Sequence, residues 1–114
     1  VIMLESPLAI ENVEEIASIE GIDVLLIGTN DLCMEMGIPG EYDHDKIKIA
    51  YRKVIDACEK NNIVPGMGGV YTEDLMYEYI SMGMRFILSG SDLSFMMSGA
   101  KVRSDNLKNF FKKG

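Results

Sequence analysis

Two acidic residues follow apolar runs that are typical of buried strands. Glu5 ends the apolar run at residues 1–4, and Asp31 comes shortly after the run at residues 24–27. Neighbouring parallel strands lie about 4.8 Å apart, so carboxylates at their carboxyl ends can bind one ion. Two hard oxygen ligands suit Mg²⁺ or Mn²⁺ better than Zn²⁺. The spacing therefore predicts a divalent metal site, unless both acids only cap the helices that follow them.

Two glycine-containing segments follow the later apolar runs. They are PGMGG at residues 65–69 and SGSD at residues 89–92. Glycines let a ligand approach the backbone, whose N–H groups can bind an anion. In eightfold barrels the loops after the last two strands often bind a phosphate, so these segments are candidates for such a site. Ordinary turn formation is the alternative explanation.

The rest of the chain alternates between strand and helix patterns. Strands are predicted at residues 1–4, 24–27, 63–65 and 85–88. Helical segments are predicted from the N-cap Ser6 to Gly21, at 31–37, from a cap at Asp43 or Asp45 to the Asn61-Asn62 pair, from Thr72 to Gly83, at 93–100, and around Leu107, Phe110 and Phe111. Right-handed crossovers between such units make a parallel sheet. The fold class is therefore α/β, either a small doubly wound sheet or half of an eightfold barrel.

Composition and charge limit the classes of function. The 114 residues are 47% hydrophobic and 25% charged, as in an ordinary globular domain. A net charge of −7 argues against nucleic acid or an anionic membrane as a partner. No apolar run approaches the roughly 20 residues of a membrane span, and no export signal is visible, so a cytoplasmic protein is expected. Cys33 and Cys58 are expected to be reduced, and His44 to belong to a helix start.

The first residues read as the interior of a strand, which favours a fragment over a complete domain. A whole eightfold barrel needs roughly 250 residues, so about half of one would be missing. Half a barrel exposes two sheet edges and an apolar inner layer. We therefore expect self-association or poor solubility for the chain alone.

Several segments together resemble the HpcH/HpaI aldolase family. The resemblance is carried by MLESP at residues 3–7, EGIDVLLIGTNDLCMEMGIPG at 20–40, the PGMGG loop and MGMRFILSGSD at 82–92. It covers essentially the whole chain, residues 1–114, and corresponds to the second half of that family. It implies a class II 2-oxo-acid aldolase, as the carboxyl-terminal half of a (β/α)₈ TIM barrel. It also implies a homo-oligomer, generally a hexamer, whose last helices pack against a neighbouring subunit; packing on the chain's own barrel is the alternative.

The resemblance assigns roles to particular residues. Glu5 and Asp31 match the family's two metal ligands. Residues Gly28, Thr29 and Asn30 match a segment whose backbone holds the keto-acid carboxylate, and Gly69 and Ser91 fall near positions that line the aldehyde pocket. The implied reaction is retro-aldol cleavage of a 2-oxo-hydroxy acid to pyruvate, or a related keto acid, plus an aldehyde. The metal, Mg²⁺ or Mn²⁺, would act as a Lewis acid that stabilises the enolate.

This sequence departs from the family pattern in three ways. Met3 stands where a Gln is common, GTND replaces GPAD at residues 28–31, and the family's Arg and His-Asp pair belong to the absent first half. The chain alone is therefore expected to be inactive. Two further hypotheses remain: a citrate-lyase-like or phosphoenolpyruvate-type lyase of the same superfamily, and a non-catalytic α/β binding module.

Overall fold

The structure, a computed structural model, describes residues 1–112 as strands alternating with helices. The elements are β1 (Ile2–Leu4), α1 (Pro7–Glu11), α2 (Val13–Ala17), β2 (Val24–Gly28), α3 (Thr29–Glu35), α4 (Asp45–Asn61), β3 (Val64–Gly68), α5 (Glu73–Met82), β4 (Phe86–Ile87) and α6 (Asp92–Lys112). Within this range no helix is long and apolar enough to cross a membrane.

The four strands form one parallel sheet in the order β1-β2-β3-β4. A doubly wound sheet reverses its strand order at a switch point, whereas a barrel adds each strand beside the previous one. The sequential order therefore settles the choice left open by the sequence. The fold is α/β, and its four βα units have the winding of a partial barrel.

The core lies between β2 and the helices that cover it. All four residues 24–27 are buried, as predicted for a strand covered on both faces. The apolar stripe predicted for α4 is also buried, and it comprises Ile47, Ala50, Tyr51, Val54, Ile55 and Cys58. The helix ends as predicted at Asn62, which adopts the left-handed conformation with φ 55°.

The first predicted helix is in fact two short helices. Ser6 is its N-cap and Pro7 its first residue, as predicted. At Asn12 the side-chain Nδ2 donates to the Leu8 carbonyl, and the backbone leaves the helical conformation there. The second helix ends at Ala17, because the Ser18 hydroxyl donates to the Glu15 carbonyl before Gly21 is reached.

Three other boundaries differ from the prediction. β3 continues through the glycines to Gly68 instead of ending at residue 65, since its register pairs Gly68 with Gly28 of β2. The fourth strand shrinks to two residues, 86–87. The N-cap of α4 is His44, whose Nδ1 accepts a hydrogen bond from the Lys46 backbone N–H, and not either aspartate.

The carboxyl-terminal segment is one continuous helix, not two segments. α6 has 21 residues, none of them buried, and it extends the molecule to 64 × 30 × 22 Å. Its exposed large apolar side chains are Leu93, Phe95, Met96, Met97, Val102, Leu107, Phe110 and Phe111. The helix therefore does not join the core of its own chain.

Candidate functional site

Glu5 and Asp31 lie side by side at the carboxyl ends of β1 and β2. Glu5 follows β1 directly, and Asp31 lies in the first turn of α3, which begins immediately after Gly28. Both side chains line the same two cavities at this edge of the sheet. Hydrogen bonding to Asp31, partial burial and the charge of Asp31 raise the pKa of Glu5 above its usual value. Two acidic groups so close together suit a shared cation.

Gly28 allows this close approach. A methyl group at residue 28 would lie 2.7 Å from Glu5 Cγ and 2.8 Å from Glu5 Oε1, both closer than van der Waals contact allows. The backbone of β2 therefore passes directly against the Glu5 side chain. The glycine is required here for space and not for a special φ angle.

Gly69 performs a related task next to Asn30. Its φ is +86°, a conformation that glycine adopts at little cost, and a methyl group there would lie 3.2 Å from the Asn30 backbone N. Gly69 thus keeps the Asn30 backbone accessible from the side of β3.

Six of the seven residues predicted for the site line one cleft. Its volume is about 180 Å³, and its lining comprises Met3, Glu5, Leu26, Ile27, Gly28, Thr29, Asn30, Asp31, Gly68, Gly69 and Leu88. A second cavity of about 610 Å³ reaches Glu5 and Asp31 from the side of α1 and α3. The two carboxylates are therefore reachable from solvent.

The carboxylate pair could fill only part of a metal's coordination shell. No cluster of three or more His, Cys, Asp or Glu side chains with metal-binding geometry occurs among residues 1–112. Mg²⁺ commonly keeps several waters and takes one or two carboxylates, so the residues present fit such an ion. The remaining positions would be open to water or to substrate oxygens.

Ser91, the seventh predicted residue, does not line this cleft. Its hydroxyl accepts a hydrogen bond from the backbone N–H of Ser94 at 3.3 Å, and its own N–H donates to Ser94 Oγ at 2.9 Å. Such reciprocal hydrogen bonds are typical of a capped helix start, and here they lie at the start of α6.

Tyrosines beside the cleft were not singled out as site residues from the sequence. The hydroxyls of Tyr51 and Thr29 are 2.6 Å apart and fully buried, and the Tyr42 hydroxyl donates to Asn30 Oδ1 at 3.1 Å. In sequence Tyr51 is only one member of the α4 stripe. Its distance from Thr29 along the chain, 22 residues, gives no local signal of the contact.

Both cysteines are free and buried. Burial raises the pKa of the Cys58 thiol to about 11, and burial together with Glu41 raises the pKa of Cys33. Neither has the character of an activated nucleophile.

Comparison with known proteins identifies the family. The family model described as HpcH/HpaI aldolase/citrate lyase matches residues 1–98. A 4-hydroxy-4-methyl-2-oxoglutarate aldolase of Chaetomium globosum is 34% identical over 102 residues, covering 88% of this chain and 38% of that protein. A 4-hydroxy-2-oxovalerate aldolase of Rhodococcus jostii is 36% identical over 94 residues, covering 81% of this chain and 35% of that protein.

Solved structures agree on the fold. The crystal structure of an HpcH/HpaI aldolase/citrate lyase family protein from Burkholderia cenocepacia matches with a TM-score of 0.82 and 24% identity, over 93% of this chain and 41% of that one. The chain thus spans about two fifths of the length of the relatives it matches. With the family model covering residues 1–98, the chain belongs to the HpcH/HpaI aldolase/citrate lyase family.

Proposed function

We propose that residues 1–114 are the carboxyl-terminal half of a class II aldolase barrel, in which Glu5 and Asp31 bind Mg²⁺ or Mn²⁺. The observation that carries the proposal is the meeting of these two carboxyls beside Gly28, where a side chain would displace Glu5. Both curated relatives described above are named as aldolases of hydroxy-oxo acids, which favours an aldolase over a citrate-lyase-like enzyme.

The proposed reaction is cleavage of a 2-oxo-hydroxy acid to pyruvate, or a related keto acid, and an aldehyde. A divalent metal at this site would supply Lewis-acid polarisation of the 2-oxo group. Glu5 and Asp31 hold the ion, and the backbone of Gly28, Thr29 and Asn30 binds the carboxylate of the keto acid. Gly69 borders the same cleft, and we assign it to the aldehyde side. Ser91 keeps that assignment on the resemblance alone.

We propose that groups outside residues 1–114 carry out the proton transfer. His44, the only histidine, accepts a backbone hydrogen bond at the start of α4. We therefore propose that the chain alone binds metal and keto acid and does not cleave substrate. Metal-dependent release of pyruvate from a 4-hydroxy-2-oxo acid by the purified 114-residue chain would contradict this.

A second part of the proposal concerns assembly in a cytoplasmic homo-oligomer. α6 presents an apolar surface that its own chain does not cover. Residues 92–112 carry four basic and two acidic side chains, whereas residues 1–91 carry six basic and sixteen acidic ones. The charge of α6 is therefore complementary to the body of a second copy, and we propose that α6 packs there.

Binding of pyruvate with and without metal tests the proposed function. Isothermal titration of pyruvate into the Mn²⁺-loaded chain should give saturable heat, and removal of the metal with a chelator should abolish it, because the keto acid would bind through the ion. The Glu59→Gln variant removes one acidic group from the exposed surface of α4 and serves as the control for a general change in charge. It should bind pyruvate with the same heat as the wild type. Equal heat in the presence of chelator would refute the metal-linked function.

A further inference from the structure

Thr29 and Asn30, which stand where the resembling family has Pro and Ala, are each hydrogen-bonded to a tyrosine. The hydroxyls of Thr29 and Tyr51 lie 2.6 Å apart in the core. The Tyr42 hydroxyl donates to Asn30 Oδ1 at 3.1 Å. Both tyrosines come from later parts of the chain, so the segment is fixed by long-range contacts.

The tyrosines are themselves held by a third one. Tyr51 of α4 and Tyr79 of α5 stack with ring centroids 3.9 Å apart and an interplanar angle of 24°, and both are fully buried. The Tyr79 hydroxyl donates to the backbone carbonyl of Tyr42. The stacked Tyr51–Tyr79 pair therefore links α4 and α5 to Thr29 directly and to Asn30 through Tyr42.

This arrangement supplies an anchor that α3 otherwise lacks. Gly28 is the N-cap of α3 and has no side chain, and no side-chain hydrogen bond caps this helix. A capping side chain at residue 28 would displace Glu5, because the missing side chain of Gly28 leaves room for it. Hydroxyl contacts from Tyr51 and Tyr42 fix the next two residues instead.

A purely structural core would not need these polar groups. A Val at residue 29 beside a Phe at residue 51 would fill nearly the same volume without burying two hydroxyls, and such paired replacement is close to neutral for stability. A hydrogen bond, unlike apolar packing, has a preferred direction, and a fully satisfied buried polar network makes the structure around it rigid.

We propose that Tyr51 and Tyr42 are positioning residues that hold Thr29 and Asn30 in the conformation whose backbone binds the keto-acid carboxylate. The inference rests on the proposed function of that segment. The Tyr51–Tyr79 stack makes the contact rigid, and the Tyr42–Asn30 bond extends it to the rim of the cleft, where Asn30 is exposed.

The test measures metal and ligand affinity separately. Mn²⁺ affinity is determined by electron paramagnetic resonance, and oxalate, a planar dicarboxylate that mimics the keto acid's chelating oxygens, is then titrated into the Mn²⁺-loaded chain. Tyr51→Phe and Tyr42→Phe should each weaken oxalate binding about three- to tenfold, the effect of one lost hydrogen bond. Mn²⁺ affinity should stay unchanged. Tyr77→Phe, an exposed tyrosine of α5, is the matched control.

A double-mutant cycle distinguishes a specific positioning role of the Thr29–Tyr51 contact from a general loss of rigidity in the core. Thr29→Val combined with Tyr51→Phe should weaken oxalate binding no more than either change alone, because both remove one contact. If Tyr51→Phe proves unstable, Tyr42→Phe on the partly buried loop decides the question alone. Unchanged oxalate affinity in Tyr42→Phe and Tyr51→Phe, or parallel loss of Mn²⁺ and oxalate, would overturn the inference. Failure of the wild type to bind Mn²⁺ or oxalate would instead refute the proposed function on which it rests.

Discussion

At the residue scale, the proposed metal site depends on the close contact between Gly28 and Glu5. A side chain at residue 28 would meet Glu5 Cγ at 2.7 Å, and the Glu5 side chain is flexible enough to move away. Gly28→Ala should therefore lower Mn²⁺ affinity by at least about tenfold, a loss that even outer-shell changes at metal sites produce. The free energy of unfolding, measured by urea titration, should change little.

Gly99 of α6 provides the control for that substitution. A methyl group at residue 99 meets no heavy atom within 4 Å. Gly99→Ala should leave Mn²⁺ affinity unchanged and stabilise α6 by about 0.5–1 kcal/mol, since alanine is the better helix former. Equal Mn²⁺ affinity in the Gly28 and Gly99 variants would contradict the role given to Gly28.

The thiols give a second residue-scale prediction. Because burial raises the pKa of Cys58 to about 11, only about one thiol in a thousand is ionised at pH 8. Ellman's reagent should label neither cysteine in the folded chain at pH 8 and both after unfolding. The raised pKa also means that this thiol's contribution to stability is full below about pH 8.5 and is lost as the pH rises through 11. Rapid labelling of the folded chain by Ellman's reagent would contradict the prediction that both buried thiols are unreactive at pH 8.

At the element scale, the start of α4 depends on His44. Its Nδ1 accepts the Lys46 backbone N–H at 3.1 Å, a bond that caps the 17-residue helix. His44→Ala should lower the free energy of unfolding by about 1 kcal/mol, the usual cost of a lost N-cap, and His44→Asn should restore it. Both are measured by urea titration. If alanine and asparagine variants are equally stable, the cap contributes nothing.

Sequence patterns predicted the elements whose apolar residues follow a clear pattern and the helix ends that carry a capping residue. The apolar run of β2, the stripe of α4, the Ser6-Pro7 helix start and the Asn62 helix end are all found as predicted. These features are local, because each follows from burial or from one capping residue. The alternation of elements also predicted that the strands are parallel, but it left open their order in the sheet.

The features that the sequence did not predict depend on long-range contacts. β3 runs through its glycines because β2 and β4 pair with it there, and a side chain at Gly66 would lie 3.1 Å from the Phe86 carbonyl. The tyrosine contacts with Thr29 and Asn30 join residues 22 and 12 positions apart. No pattern among residues adjacent in the sequence indicates contacts between residues so far apart along the chain. The proximity of Glu5 and Asp31 was expected from the sequence, because each acid follows a strand in successive βα units.

At the scale of the whole molecule, α6 should control assembly. Leu107 is 56% exposed on a helix that its own chain does not cover, so a charge there should oppose burial against a second copy. Leu107→Glu should reduce the oligomeric state measured by light scattering after size-exclusion chromatography. Asn109→Glu adds the same charge without removing an apolar side chain and should reduce it less. Identical masses for the wild type and Leu107→Glu would contradict the assignment.

The central claim is that Glu5 and Asp31 bind one divalent ion, and Mn²⁺ affinity tests it most directly. Electron paramagnetic resonance titrations of the wild type, Glu5→Gln, Asp31→Asn and the double variant measure free Mn²⁺ at each total concentration. One site on the wild type is expected, with each single change lowering affinity at least about tenfold and the double variant little worse than either. Wild-type affinity in both single variants would show that the two acids are not metal ligands and would contradict the account.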